Sequence, residues 1–237
     1  YYYNGSGDSF AVIRYNTDGS LDTTFSGDGI ATTAFTTNYN EAYGMAVQTD
    51  GKIVLAGEFG KTGAGVTTSD FAVVRFNTDG SLDTTFDGDG MLTTAIGTGD
   101  DVGNSVTVQT DGKVVVAGYS YNGTKNDFAL VRYNTDGSLD TTFSGDGMLT
   151  TNIGTVDDLA NDVVVQGDGK IVVGGRSKTS TYDFTLVRYN TDGSLDTTFS
   201  GDGIVTTAIG TVADLANDVV VQGGGKIVVG GGSISGI

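Results

Sequence analysis

The decamer Asn-Thr-Asp-Gly-Ser-Leu-Asp-Thr-Thr-Phe occurs four times without a single change, at 16–25, 77–86, 134–143 and 190–199. Successive copies begin 61, 57 and 56 residues apart. A second marker, a Gln shortly before a Gly-Lys turn, recurs at Gln48, Gln109, Gln166 and Gln222 with the same three offsets. A chain built in this way folds as a series of like units, each burying its apolar face against its neighbour. From the Phe of the decamer to the next marker Gln is 23 residues in every copy. From that Gln to the Phe of the following Asp-Phe pair (Phe71, Phe128, Phe184) is 23, 19 and 18 residues. Length variation therefore collects in one connection, whose longest version spans 58–69.

Each unit reads as four strands, here called A to D. In the unit that carries the second marker, Gln109, strand A is 105–109, B is 113–118, C is 128–134 and D is 148–153. Asp111-Gly112 between two apolar runs is a hairpin signal, because Gly accepts positive φ. Val114, Val115 and Val116 are apolar on both faces, which predicts a strand buried on both sides. Thr150 and Thr151 mark D as a half-exposed outer strand. Gly, Asn and β-branched residues interrupt every helical periodicity. The expected fold is all-β: a β-propeller of four-stranded antiparallel blades, about four repeats of 56–61 residues, with complementary half-blades at the ends. A parallel β-solenoid is the alternative, although its coils repeat over fewer residues. The expected division is a C–D half-blade at 8–36, repeats at about 42–97, 103–154 and 160–210, and an A–B half-blade at 216–231. Two closures fit these ends. The halves pair within one chain, or one chain's A–B pairs with another chain's C–D in a ring or filament.

The residues 127–151 (DFALVRYNTDGSLDTTFSGDGMLTT) and 46–57 (AVQTDGKIVLAG) resemble the bacterial delta-60 repeat. The resemblance covers nearly the whole chain. It implies a propeller-like repeat of large secreted or surface bacterial proteins with no established activity. The usual Pro before the Asp-Gly turn is replaced by Thr49 and Gly167, and Gly224 takes the place of the turn's Asp in the last copy.

Composition removes several classes of function. There is no Cys and no His, so thiolate nucleophiles, Ser-His-Asp sites and the commonest transition-metal ligands are excluded. Twenty-nine acidic residues face 12 basic ones, a formal charge of −17, which disfavours nucleic acid and anionic membrane surfaces. No apolar run is long enough for a transmembrane helix. Low Lys, abundant Asp and missing Cys suit an extracellular or bacterial cell-surface protein. The chain is not expected to be an enzyme, because repeated identical carboxylates lack the contrasting environments that separate an acid from a base.

Three sets of residues are candidates for binding. The C–D loops concentrate acid: Asp18, Asp22 and Asp28; Asp79, Asp83 and Asp89; Asp136, Asp140 and Asp146; Asp192, Asp196 and Asp202. Clustered carboxylates on Gly-rich turns suit Ca²⁺, whereas Asp-Gly also forms ordinary turns capped by the Asp itself. An Arg recurs in strand C (Arg14, Arg75, Arg132, Arg188), and a bond to a C–D carboxylate in each blade accounts for it. The B–C connections share one rim and break the symmetry with Lys61, Tyr119, Tyr121, Lys125, Arg176, Lys178 and Tyr182, a candidate surface for a partner. Asn4-Gly5-Ser6 and Asn122-Gly123-Thr124 match N-glycosylation acceptors. The expected function is a structural repeat protein that joins other copies head to tail through its half-blades. The alternative is a binding module for a glycan or surface protein, with Ca²⁺ as an accessory.

Overall fold

The computed structural model describes residues 2–3, 8–35, 39–63, 66–178, 180–234 and 236. It is all-β among these residues, and successive antiparallel sheets follow the repeats in chain order. The first sheet holds β1 (Tyr2–Tyr3), β2 (Asp8–Ile13) and β3 (Ile30–Thr33). The second holds β4 (Asn40–Val47), β5 (Ile53–Gly63), β6 (Val66–Phe76) and β7 (Met91–Thr94). The third holds β8 (Asp101–Val108), β9 (Val114–Tyr121), β10 (Asn126–Tyr133) and β11 (Met148–Thr151). The fourth holds β12 (Leu159–Val165), β13 (Ile171–Lys178), β14 (Tyr182–Tyr189) and β15 (Ile204–Thr207). The last hairpin is β16 (Ala213–Val221) and β17 (Ile227–Ile234). The complete units are meanders in which strands A to D pair in sequence order, as a propeller blade requires.

Four features depart from the sequence reading. The insertion at 58–69 is no loop: β5 and β6 stay paired from Ile53↔Phe76 out to Gly63↔Val66. The β16–β17 hairpin is tied to the fourth blade by a parallel bridge, Tyr182↔Ala213, so the two count as one sheet. The strand β1 lies on the outer edge of β2, pairing Tyr2↔Ser9 and Tyr3↔Asp8. Strand A of every unit carries a bulge, between Ala42 and Gly44, Gly103 and Ser105, Ala160 and Asp162, and Ala216 and Asp218. The bulge drives the A strand so close to strand B that a Cβ on Gly118 would fall 1.8 Å from the Val102 carbonyl oxygen. It also turns Asn104 and Asn161 toward the next blade, where their amides donate to the Ala160 and Ala216 carbonyls (2.7 and 2.6 Å). The boundary expected at residue 36 lies outside the described residues.

The core sits between blades, not within them. One face of β5 and β6 (Val54, Ala56, Phe71, Val73) packs on Val106, Val114, Val116, Ala129 and Val131 of the next blade. The same pattern joins Val115, Phe128 and Leu130 to Val163, Val173 and Val187. It also joins Phe10 and Val12 to Ile53, Leu55 and Val74. Both faces of an inner blade are therefore apolar, which is why strands B and C read as continuous hydrophobic runs. At the outer rim of two seams a buried Tyr reaches back one blade. Tyr133 pairs with Thr94 and Tyr189 with Thr151, each oxygen pair 2.7 Å apart. Burial raises both phenols well above their ordinary range. The second blade has Phe76 here, and the facing Thr33 hydroxyl turns instead to the Met91 sulfur.

Tyr189→Phe leaves the Thr151 hydroxyl buried without its partner. The expected loss of stability in urea unfolding is roughly 1–3 kcal/mol, with an unchanged far-ultraviolet spectrum.

Candidate functional site

The repeated loop between strands C and D is held by one ionic cluster per blade. In the second blade, Asp83 Oδ2 accepts from Arg75 Nε at 2.6 Å and from Lys52 Nζ at 2.9 Å. Arg132 and Lys113 meet on Asp140 (2.6 and 2.8 Å), and Arg188 and Lys170 on Asp196 (2.7 and 2.8 Å). The other oxygen, Oδ1 of Asp83, accepts from the amide and hydroxyl of Thr85. Each guanidinium also lies over the Phe that ends its decamer, 4.4 Å from the Phe86 ring and 4.5 Å from the Phe143 ring. The arginines then cross to the next blade: Arg75 donates to the Thr135 carbonyl (2.8 Å) and Arg132 to the Thr191 carbonyl (2.6 Å). Beside them, Asp87 N donates to Asp136 O and Ser144 N to Asp192 O, both at 2.8 Å. The strand-C arginines are thus blade-to-blade ties. The recurring lysine that shares their carboxylate went unassigned in the sequence. Its signal was recurrence just after every A–B turn.

In the first blade the cluster is incomplete. Arg14 binds Asp22 (2.8 Å) and the Thr78 carbonyl, but no lysine joins them among the described residues. The side chains of Arg14 and Asp22 are 32% and 19% exposed, against 4% and 3% for Arg75 and Asp83.

The remaining C–D acids are turn caps. Asp18, Asp79, Asp136 and Asp192 accept from both the amide and hydroxyl of the Ser two residues on. Those bonds hold their carboxyls below the ordinary value. Asp28, Asp89, Asp146 and Asp202 accept from the amide that opens strand D. Among the described residues no three carboxylates converge on one point. The expected Ca²⁺ site thus has no clustered donor set here. Turn chemistry and ion pairs use the acids singly, in the way Asp-x-Ser and Asp-x-Thr turns do.

The B–C rim is also more engaged than a free loop surface. Tyr119 and Tyr121 lie in β9, Arg176 and Lys178 in β13, and Tyr182 in β14, so these are strand ends. Lys125 donates to the Gly154 carbonyl and pairs with Asp158 (3.2 Å) and Asp127 (3.4 Å), tying β10 to the next D–A turn. Arg176 and Lys178 both lie 5.1 Å from the Tyr182 ring. Tyr121 is exposed. The Lys61 side chain and the Asn4-Gly5-Ser6 acceptor lie outside the described residues. Asn122 caps its own turn, accepting from Thr124 and Lys125.

On the opposite face, polar grooves of about 550 and 630 Å³ run between adjacent A–B turns. The first is lined by Gln48, Lys52, Arg75 and Gln109, the second by Gln109, Lys113, Arg132 and Gln166. The Oε1 atoms of Gln48, Gln109 and Gln166 are buried without a hydrogen-bond donor from the protein. A hydroxyl-bearing molecule or water can supply that donor; the cations are already neutralised by Asp83 and Asp140.

Burial raises the Asp83 and Asp140 carboxyls, but hydrogen bonds from the lysine and threonine and the arginine charge outweigh it, and both end well below the usual range. A depressed folded-state value contributes stability above the unfolded value of about 4 and loses it as pH falls further. Stability should therefore drop below about pH 4. Asp83→Asn is expected to cost about 3 kcal/mol at neutral pH by leaving the buried Arg75 and the half-buried Lys52 without a counter-ion, and to flatten the acid limb of stability against pH. Asp22→Asn should cost less. Urea titrations from pH 7 to 2 on the three proteins check both statements.

Comparison with known proteins gives one family and several distant solved structures. Solved structures similar to the chain include MPT-4, a mannose phosphorylase from Leishmania mexicana in complex with phosphate ion. It is 11% identical, with 86% of this chain and 70% of that chain covered and a TM-score of 0.41. A protein of unknown function from Dyadobacter fermentans is 14% identical over 63% of this chain and 47% of that chain, at a TM-score of 0.39. An α-L-arabinanase from Cellvibrio cellulosa, complexed with arabinohexaose, is 12% identical over 79% and 76%, at 0.36. None of the curated proteins matches the sequence. The model of the β-propeller domain of unknown function DUF5122 matches residues 1–25, 48–86, 109–143 and 166–199. Each segment ends on the Phe of a decamer, and the last three begin on the marker Gln. The chain belongs to the DUF5122 β-propeller family.

Proposed function

We propose that this protein is a non-catalytic structural repeat module of the bacterial exterior that joins further copies head to tail through the strands of its two ends. The observation that carries this reading is the burial of equivalent positions. Val74, Val131 and Val187 are fully buried, whereas their first-blade counterpart Ile13 is 47% exposed. Tyr133 and Tyr189 are 1% exposed, and Tyr15 is 59% exposed. At the other end Val228 is 44% exposed, while Val54, Val115 and Val172 are fully buried. An apolar face with a free strand edge is a pairing template. The missing His and Cys, the negative charge and the likeness to the delta-60 repeat support the non-catalytic, extracellular part. No helix of the described residues is long and apolar enough to cross a membrane.

Sedimentation velocity across a concentration series tests the reading. The wild-type chain is expected to associate, and Ile13→Lys, which places a charge on the free edge, is expected to sediment as a monomer. A wild-type protein that stays monomeric at high concentration overturns it.

A second reading is recognition of a glycan, and the orphaned Gln oxygens in the polar grooves favour it. Binding on a glycan array that is lost in Gln109→Leu, which lines both grooves, is the expected outcome under that reading. Tyr121→Ala serves as the control for the opposite rim.

A further inference from the structure

Resting on the head-to-tail reading, we infer that the partner is a second copy of this chain and that the joint is a composite blade locked by a Lys226–Asp22 ion pair. The composite blade is built from β16–β17 of one copy and β2–β3 of the other. Three observations point to this arrangement.

The first is the register. Strands B and C pair in complete blades as Ile53↔Phe76 through Glu58↔Phe71. The equivalent pairing runs from Ile227↔Tyr15 to Gly232↔Phe10. Among the described residues β17 pairs only with β16, and β2 pairs with β3 and β1. The β1 pairs stop at Ser9, so these six new pairs leave β1 in place.

The second is an unfilled ion cluster on each side. Lys226 occupies the place of Lys52, Lys113 and Lys170, and it is exposed with no ion pair among the described residues. Asp22 is the C–D carboxylate that has its arginine and lacks its lysine. The register above brings Lys226 of one copy to Asp22 of the other.

The third is a set of blade-to-blade ties that the fourth blade leaves unmade. Arg75 and Arg132 donate to Thr135 and Thr191 of the next blade; for Arg188 the equivalent carbonyl is that of Thr17 in the second copy. Ser144 N donates to Asp192 O, and Ser200 N is placed to donate to Asp18 O. The phenols of Tyr133 and Tyr189 meet Thr94 and Thr151; that of Tyr15 is placed to meet Thr207, which is exposed. Ile13 and Tyr15 then cover Phe184, Leu186 and Phe199, which are only half-buried while Phe71, Phe86, Phe128 and Phe143 are fully buried.

The chain has no cysteine, so a disulfide can be placed without competition. Ile13→Cys with Val229→Cys imitates the pairs Val74↔Leu55, Val131↔Val116 and Val187↔Val173. On mild oxidation the expected products are covalent dimers and larger cross-linked species, and the wild type is expected to sediment above 24.3 kDa at all but the lowest concentrations. An internally cross-linked monomer, or no cross-link with a monomeric wild type, overturns both the inference and the head-to-tail reading. Charge reversal tests the ion pair separately. Lys226→Asp and Asp22→Lys alone are each expected to weaken association at least about tenfold, because each sets like charges together at the joint. The chain carrying both changes should recover it. Equal association by all three variants would overturn the Lys226–Asp22 contact and the register with it. Far-ultraviolet spectra of the variants monitor folding throughout.

Discussion

Asp83, Asp140 and Asp196 each gather an arginine from strand C and a lysine from the end of the A–B turn onto one carboxylate oxygen. Each of these oxygens is nearly dry, and a dry carboxylate without cations would be costly. The cluster therefore fixes three elements at once: the start of strand B, the end of strand C and the first turn of the C–D loop. With the loop fixed, its Phe is driven under the guanidinium, and the arginine's remaining nitrogen is aimed at the neighbouring blade. Blade stacking, the Tyr–Thr contacts and the buried seams all follow from that alignment.

The loop has its own local economy of bonds. Ser26, Asp87, Ser144 and Ser200 adopt positive φ between 53° and 57°, each followed by a Gly that is also left-handed. A left-handed residue without glycine's freedom needs support, and in the first three blades its amide is held by a carbonyl of the next blade. The loop thus leans on the next blade as well as on its own turns. Its backbone is shaped jointly by its own turns and by its neighbour.

Much of this architecture was legible from period and alternation. The identical decamers gave unit length, the Val runs identified the doubly buried strands, and the Arg recurrence pointed to a C–D carboxylate. Other features left little trace. A bulge at Asn104 or Asn161 adds one residue to a strand without disturbing its composition. The insertion at 58–69 looks like a loop because it varies in length, yet its Thr and Val residues extend a hairpin. The Lys52–Asp83 contact joins residues 31 apart in the chain, and only the repetition of both could have suggested it. The acids of the C–D loop admitted two readings, a cation site and turn caps. In the fold each accepts from the amide two residues ahead, and Asp22, Asp83, Asp140 and Asp196 also hold the strand-C arginine.

The inter-blade seams also set how the molecule comes apart. Each seam is confined to two neighbouring blades, so the chain behaves as a row of coupled units. In a chain not joined to another copy, the β16–β17 hairpin rests on a single seam and carries the most exposed strand of the row. In that chain thermal disorder should enter there and at β2, then travel inward one unit at a time, much as a zip opens from its loose end. The amides of β9 and β10, enclosed by a seam on either side, would be the last to exchange with solvent.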